Sequence, residues 1–140
     1  MTYSAGNAMQ AYNTVSVRSR VEGASPHRLI SLLLDGALEK IAVAKGSIQR
    51  NELPGKTQAI GRAISIVEGL RMSLDHTVKN DLIDNLDELY SYMERRLLLA
   101  NLKSDEKVLD EVSYLLREIQ EAWNAIGSEA APQGPLAGVE

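Results

Sequence analysis

The chain has no cysteine and no phenylalanine, and aromatic residues make up only 4% of its 140 residues. The lack of cysteine excludes disulfides, thiolate metal sites and cysteine nucleophiles. No stretch approaches the roughly 20 consecutive apolar residues of a membrane-spanning helix, so we expect no membrane insertion. The first ten residues are polar and small, unlike a secretory signal. The 15 basic and 19 acidic residues are interspersed, and no basic patch indicates nucleic-acid binding.

What the sequence does contain is four stretches with apolar residues at helical spacing. Three of these apolar seams run through residues 60–74, 83–100 and 108–126. Four such stripes separated by short turns predict one all-α domain, an antiparallel up-down four-helix bundle. The first seam consists of Ile30, Leu34, Ala37, Ile41, Ala44 and Ile48.

Local capping signals predict where the first two helices begin and end. Ser25 can cap the first helix and Pro26 fits its first position, so this helix runs from there to about Arg50. The cluster at 51–55 contains Pro and Gly and predicts a turn. The second helix is therefore predicted over about 56–76.

The other half of the chain shows similar signals. The third helix is predicted over about 81–102, with Asp81 or Asn80 as its cap, and the fourth starts at a Ser104 cap and stops at Gly127. The Pro- and Gly-containing stretch that follows predicts disorder. The predicted organisation is a mobile N-terminal arm over 1–24, the bundle over 25–127 and a disordered tail over 128–140.

Two helices carry more apolar residues than one buried stripe requires. In the first, Leu32 and Val43 lie nearly opposite the seam; in the third, Tyr92 and Leu99 point away from it. Scattered apolar residues are normal on a surface, but the surplus also fits an elongated groove, or a pair of patches, for a partner's helices. The apolar residues of the arm fit either a plain extension or a cover over that surface. The residues expected to bind a partner are Met9, Tyr12, Val15, Leu29, Leu32, Leu33, Gly36, Val43, Leu89, Tyr92 and Leu99.

No pattern indicates catalysis, a cofactor or a metal. His27 and His76 lack the Glu-x-x-His spacing of a di-iron bundle, and no glycine-rich phosphate loop occurs. A histidine phosphotransfer domain is the alternative function, because His27-Arg28-Leu29 is similar to the start of such a motif, although in the first turn of its helix. A bundle enzyme such as a chorismate mutase would need cationic groups that the seams lack. Trp123, at the edge of the fourth seam, fits core packing or an interface anchor.

The order and spacing of several short motifs resemble the flagellin export chaperones, the FliS family, over about residues 8–124. Leu34 departs from the family pattern, which commonly has tyrosine there, and the loop at 78–81 lacks the usual glycines. The matching motifs are Tyr12-Asn13-Thr14-Val15, Ala24-Ser25-Pro26 with Leu29-Ile30, Leu33-Leu34-Asp35-Gly36-Ala37, Ser73-Leu74-Asp75, Asn85-Leu86 with Leu89-Tyr90-x-Tyr92-Met93, Leu98-x-Ala100-Asn101 and Glu121-Ala122-Trp123.

The resemblance implies a cytoplasmic, non-enzymatic export chaperone. Such a protein binds the C-terminal segment of newly made flagellin, prevents premature polymerisation and delivers the client to an export-gate component of the flagellar type III secretion apparatus. The resemblance also implies that the arm around Tyr12 packs on the bundle and is moved by the client. We expect a monomer or a weak dimer that binds no nucleic acid and no cofactor.

Overall fold

The computed structural model describes residues 25–130 and contains the four predicted helices in the predicted order. Each helix packs on the next one along the chain, and α1 also packs on α4, which closes an up-down four-helix bundle. The arm over 1–24 and residues 131–140 lie outside the described residues. The helices are α1 (Pro26–Gln49), α2 (Leu53–Met72), α3 (Asp81–Lys103) and α4 (Glu106–Ala130).

Side-chain caps explain where α1 and α3 begin. The Ser25 hydroxyl accepts a hydrogen bond from the backbone N–H of Arg28 at 3.1 Å, and Pro26 takes the first helical position. Asn80 Oδ1 accepts from the backbone N–H of Leu82 at 2.6 Å. Both bonds satisfy amides that have no partner inside the helix. Of the two caps considered for α3, Asn80 is the one that forms this bond.

The predicted limits of α2 are wrong at both ends. The helix begins at Leu53, because Pro54 fits the first helical turn instead of breaking it. It ends at Met72, four residues earlier than predicted. Beyond that point Asp75 Oδ1 accepts from the backbone N–H and the hydroxyl of Thr77 at 3.1 and 2.6 Å, and this local turn takes the place of further helix.

The predicted Ser104 cap for α4 is also wrong. Ser104 instead ends α3 in the left-handed conformation, with φ of 49°. The carboxylate of Asp105 accepts from the backbone N–H groups of Lys107 and Val108 at 2.9 and 3.4 Å. Asp105 is therefore the cap, and its negative charge lies at the positive end of the helix dipole.

The fourth helix differs from its prediction in the phase of its buried face and in its end. Its fully buried side chains include Leu109 and Leu116, whereas Leu115 of the predicted seam is only half-buried. Because α4 packs against both α1 and α3, its apolar face is wider than one seam. The predicted stop at Gly127 is wrong, since the helix continues to Ala130.

The hydrophobic core lies between the four helices and draws on all of them. The first seam is confirmed, because Leu34, Ala37, Ile41 and Ala44 are buried to within 1% of complete. Burial of a side chain the size of leucine contributes about 1.5–3 kcal/mol, so this core is the main source of stability. The largest fully buried side chains are Leu34, Ile41, Ile60, Leu70, Met93, Leu97, Leu109 and Leu116.

Candidate partner-binding surface

The expected partner-binding residues of α1 lie in different environments. Leu33 belongs to the core, with 4% of its surface exposed. Leu32 and Gly36 are buried, and Leu29 is half-buried. Val43 is 46% exposed. Of these five residues, Val43 therefore offers a partner the most open apolar side chain.

The expected residues of α3 are all partly covered. Leu89 and Leu99 pack against the core. The Tyr92 hydroxyl donates to Glu111 Oε2 at 2.5 Å, and Arg96 Nε donates to the other oxygen of the same carboxylate at 2.8 Å. These bonds raise the pKa of Tyr92 and lower that of Glu111. Tyr92 thus belongs to a polar contact between α3 and α4.

The predicted residues fall into two groups on separate helices. Each of α1 and α3 packs on α2 and α4, so the two helices lie diagonally across the bundle. The groups therefore form two patches and not one continuous groove. The remaining three predicted residues, Met9, Tyr12 and Val15, lie outside the described residues.

The contact between α2 and α3 contains more carboxyl groups than guanidinium groups. Arg71 Nε donates to Asp87 Oδ1 at 2.8 Å, while Arg71 Nη1 lies 3.7 Å from Glu68 Oε1 and 3.8 Å from Glu94 Oε1. Burial, together with a hydrogen bond to Glu68, raises the pKa of Glu94 to about 8. The Oε2 atom of Glu94 is buried without a hydrogen-bond partner among the described residues. Burial therefore favours the protonated form of the Glu94 carboxyl group in this cluster.

An aromatic contact joins the start of α1 to the last turns of α4. The rings of His27 and Trp123 stack with centroids 4.7 Å apart and planes 5° from parallel. The Trp123 indole N–H donates to the His27 carbonyl at 3.0 Å, and His27 Nε2 lies 2.7 Å from the Trp123 carbonyl. A carbonyl can only accept, so Nε2 carries the hydrogen.

Gly127 completes this contact, because a Cβ at that position would collide with the His27 ring. The glycine that we predicted to stop α4 is therefore needed for close packing inside it. The same geometry disfavours phosphotransfer by His27, whose Nε2 is occupied by a backbone carbonyl. Trp123 serves the packing role considered for it, as a half-buried residue against the core.

The sequence analysis missed a buried lysine near the end of α3. Lys56 is only 7% exposed, and its ammonium donates to the Asn101 carbonyl at 2.9 Å and to the Ser104 hydroxyl at 2.8 Å. A cation at the C-terminal end of a helix satisfies free carbonyls and complements the dipole. Nothing in the local sequence of α2 signals this role, since the carbonyl that Lys56 bonds to lies 45 residues away in the sequence.

Residues 25–130 lack two kinds of feature. In this range, no three or more His, Cys, Asp or Glu residues are grouped so that they could hold a metal ion. No helix in the same range combines the length and the apolarity that crossing a bilayer requires.

Comparison with known proteins identifies the family. The family model described as flagellar protein FliS matches residues 8–130. The chain belongs to the FliS family. The FliSB flagellar secretion chaperone of Pseudomonas aeruginosa is 47% identical over 119 residues, which cover 85% of this chain and 94% of that protein.

More distant FliS proteins match over a similar length. The flagellar secretion chaperone FliS of Escherichia coli is 44% identical over 120 residues, or 85% of this chain and 88% of that protein. The one from Bacillus subtilis is 31% identical over 123 residues, or 87% and 91%. The resemblance to the FliS family that the motifs indicated is confirmed.

Proposed function

We propose that this FliS-family protein is a cytoplasmic export chaperone for flagellin. It binds the disordered C-terminal segment of flagellin, prevents premature polymerisation and delivers the client to an export-gate component of the flagellar type III secretion apparatus. The observation that carries the proposal is the family match over residues 8–130, with relatives named as flagellar secretion chaperones. The proposal includes a non-enzymatic role.

The two patches suit an extended client better than a compact one. Because α1 and α3 are diagonal, a partner that contacts both must pass around α2 or α4. A disordered segment can wrap a large surface in this way, although the ordering it undergoes on binding lowers its affinity for a given area. We assign the client to Leu29, Leu32, Gly36 and Val43 on α1 and to Leu89, Tyr92 and Leu99 on α3.

The exposed Val43 is the sharpest place to test this surface. We expect Val43→Ser to weaken binding of a synthetic flagellin C-terminal peptide by about fivefold or more in isothermal titration calorimetry, as loss of a buried apolar group would. Tyr114→Ser is the matched control, because Tyr114 is 60% exposed on α4, outside both patches. Failure of the wild-type protein to bind the peptide would refute the proposed function. Equal affinity of Val43→Ser and wild type would remove Val43 from the client surface.

The arm enters the proposal through Met9, Tyr12 and Val15. We assign these residues to a cover that lies over the client surface until flagellin displaces it. A covered surface lowers the fraction of competent molecules, and the apparent affinity falls by that fraction. Removal of residues 1–18 is therefore expected to speed client association in stopped-flow measurements. An unchanged association rate, with the helical circular dichroism spectrum intact, would show that the arm is no cover.

A further inference from the structure

The outer face of α3 changes its chemical character halfway along the helix. In the first half its exposed charged residues are all acidic: Asp81, Asp84 and Glu88. From Leu89 to the end of the helix, every exposed residue is a leucine or carries a positive charge. A basic, apolar helix face of this kind is typical of contact with a membrane surface or with a partner. We call the four exposed residues of the second half, Arg95, Leu98, Leu102 and Lys103, the cationic stripe.

The fold does not account for most of the cationic stripe. Leu98 is 59% exposed and Leu102 is 79% exposed, so neither adds much to the core. Arg95 donates to the Ser91 hydroxyl at 2.9 Å, and no carboxylate is paired with it among the described residues. Only Lys103 has a local role, because a cation in the last turn of a helix complements the helix dipole. The two leucines and Arg95 are therefore available to a partner.

Lys107 adds a further cation at the end of the bundle where α3 stops. It is exposed in the first turn of α4, and no carboxylate is paired with it in the described part of the chain. A cation at this position faces the positive end of the helix dipole, which destabilises the helix. Leu53, at the same end of the bundle, is 51% exposed. Lys107 therefore has no stabilising role inside the molecule that explains its charge.

We propose that the cationic stripe and Lys107 bind the surface of a bilayer that contains anionic lipids. The chain lies on the bilayer without crossing it, with Leu98 and Leu102 at the boundary between head groups and acyl chains. The cations reach the anionic head groups, and each one near such a surface raises the affinity about fivefold. Charge complementarity is therefore the reason for choosing this occupant.

The two leucines distinguish a bilayer from the other partners that cations attract. A nucleic acid pairs its phosphates with lysine and arginine, but it gives exposed leucines no apolar layer to enter. A partner helix lays its apolar face into a hydrophobic groove, whereas Leu98 and Leu102 protrude from the outer face of a single helix. A bilayer offers charge and an apolar layer on one continuous surface. The stripe presents few residues, so the binding is weak and reversible.

Co-sedimentation of the full chain with lipid vesicles at low salt tests the proposal. Wild-type protein is expected to bind phosphatidylcholine vesicles that contain phosphatidylglycerol, and to dissociate when salt screens the charges. It is expected not to bind vesicles of phosphatidylcholine alone. The chain carries a net charge of -4, so overall electrostatic attraction cannot produce this result. Leu102→Ser and Lys107→Gln are each expected to weaken binding about fivefold without lowering the melting temperature.

Two variants with matched chemistry serve as controls. Leu82→Ser removes a 53% exposed leucine from the acidic half of α3, and Lys79→Gln removes an exposed lysine from the connection that precedes that helix. Both are expected to bind the vesicles as the wild type does. A wild type that does not bind the anionic vesicles, or binds neutral ones equally, overturns the proposal. So does a result in which Leu102→Ser and Lys107→Gln bind no more weakly than the two controls. The experiment contains no flagellin peptide, so its failure leaves the proposed function untouched.

Discussion

The two flanks of α3, one in contact with α4 and the other with α2, differ in their balance of positive and negative groups. Towards α4, Arg96 and Tyr92 both bond to the carboxylate of Glu111, so the negative charge has two donors. Towards α2, one guanidinium, that of Arg71, faces three carboxylates. The first flank is satisfied when Glu111 is ionised, whereas the second is satisfied only when one carboxyl group keeps its proton.

This difference gives the two flanks opposite dependences on pH. Hydrogen bonding to Tyr92 holds the pKa of Glu111 below its usual value, so the α4 flank loses stability as the pH falls through that lowered pKa. Burial raises the pKa of Glu94 from 4.5 to about 8. The stability linked to the Glu94 proton is complete below pH 4.5 and is lost as the pH rises towards 8. The α4 flank is thus weakened in acid, whereas the α2 flank is weakened progressively as the pH rises from 4.5 towards 8.

The largest expected effect comes from removing Arg71, the guanidinium that faces all three carboxylates of the α2 flank. Arg71→Met leaves three carboxylates together and is expected to lower the free energy of unfolding by about 3 kcal/mol at pH 8. The loss shrinks at pH 5, where carboxyl protons relieve the repulsion. Urea denaturation at both pH values measures it. Arg96→Met, which leaves one carboxylate bonded to Tyr92, is the control, with a smaller expected loss. Equal losses for the two variants at pH 8 would contradict the comparison.

A smaller effect is expected from the proton on Glu94 itself. Wild-type protein is expected to lose about 2 kcal/mol of unfolding free energy between pH 5 and pH 9, because the folded state binds a proton that the unfolded state releases near pH 4.5. Glu94→Gln keeps the shape without the titration, so its stability is expected to be level over this range. A wild-type slope that persists in Glu94→Gln would assign the proton to another group, and Glu68→Gln would then be the next variant to measure.

The balanced flank is expected to respond less and in the acid range. Glu111→Gln replaces a charge-assisted contact with neutral hydrogen bonds and is expected to cost about 1 kcal/mol at pH 7. The difference from wild type is expected to shrink in acid, as the pH falls through the lowered pKa of Glu111 and the wild type takes up its proton. Thermal melts at pH 7 and pH 3.5 measure both values. A difference that persists undiminished in acid would show that the charge of Glu111 is unimportant.

The smallest effect is expected from the Tyr92 hydroxyl. Tyr92→Phe removes one donor from Glu111 but keeps the ring against Arg95 and Arg96, so it is expected to cost less stability than Glu111→Gln does. This loss is expected to be constant between pH 5 and pH 9. A loss larger than that of Glu111→Gln would mean that the α4 flank depends mainly on this one bond, and the comparison of the two flanks would need revision.

The elements that sequence analysis predicted correctly depend on local signals. Each apolar seam can be recognised from the sequence of one helix alone. The Ser25 and Asn80 caps bond to amides only two or three residues away. The errors at Pro54 and Ser104 are also local, since both residues have two common roles at helix ends and the sequence does not select between them.

Features that were missed depend on distant parts of the chain. Glycine commonly follows the last turn of a helix, which is why Gly127 was predicted to end α4. Its place inside α4 is instead explained by close packing against His27, 100 positions earlier in the chain. Leu115 is only half-buried because α4 packs against two helices, α1 and α3, and its buried face is set by both contacts. Tyr92 was predicted to face a partner from its position on α3 alone, and its bond to Glu111 depends on α4. Tertiary contacts decide all three, and helical periodicity does not contain them.

The stacked pair at the end of the bundle also makes the protein its own spectroscopic reporter. Trp123 is the single tryptophan of the chain, and its indole lies against the imidazole of His27 with its N–H bonded to a carbonyl of α1. Separation of α1 from α4 exposes the indole to water and changes its emission, while circular dichroism follows all four helices together. Opening of this one end is therefore visible without any label, as a fluorescence change that can be compared with the loss of helix.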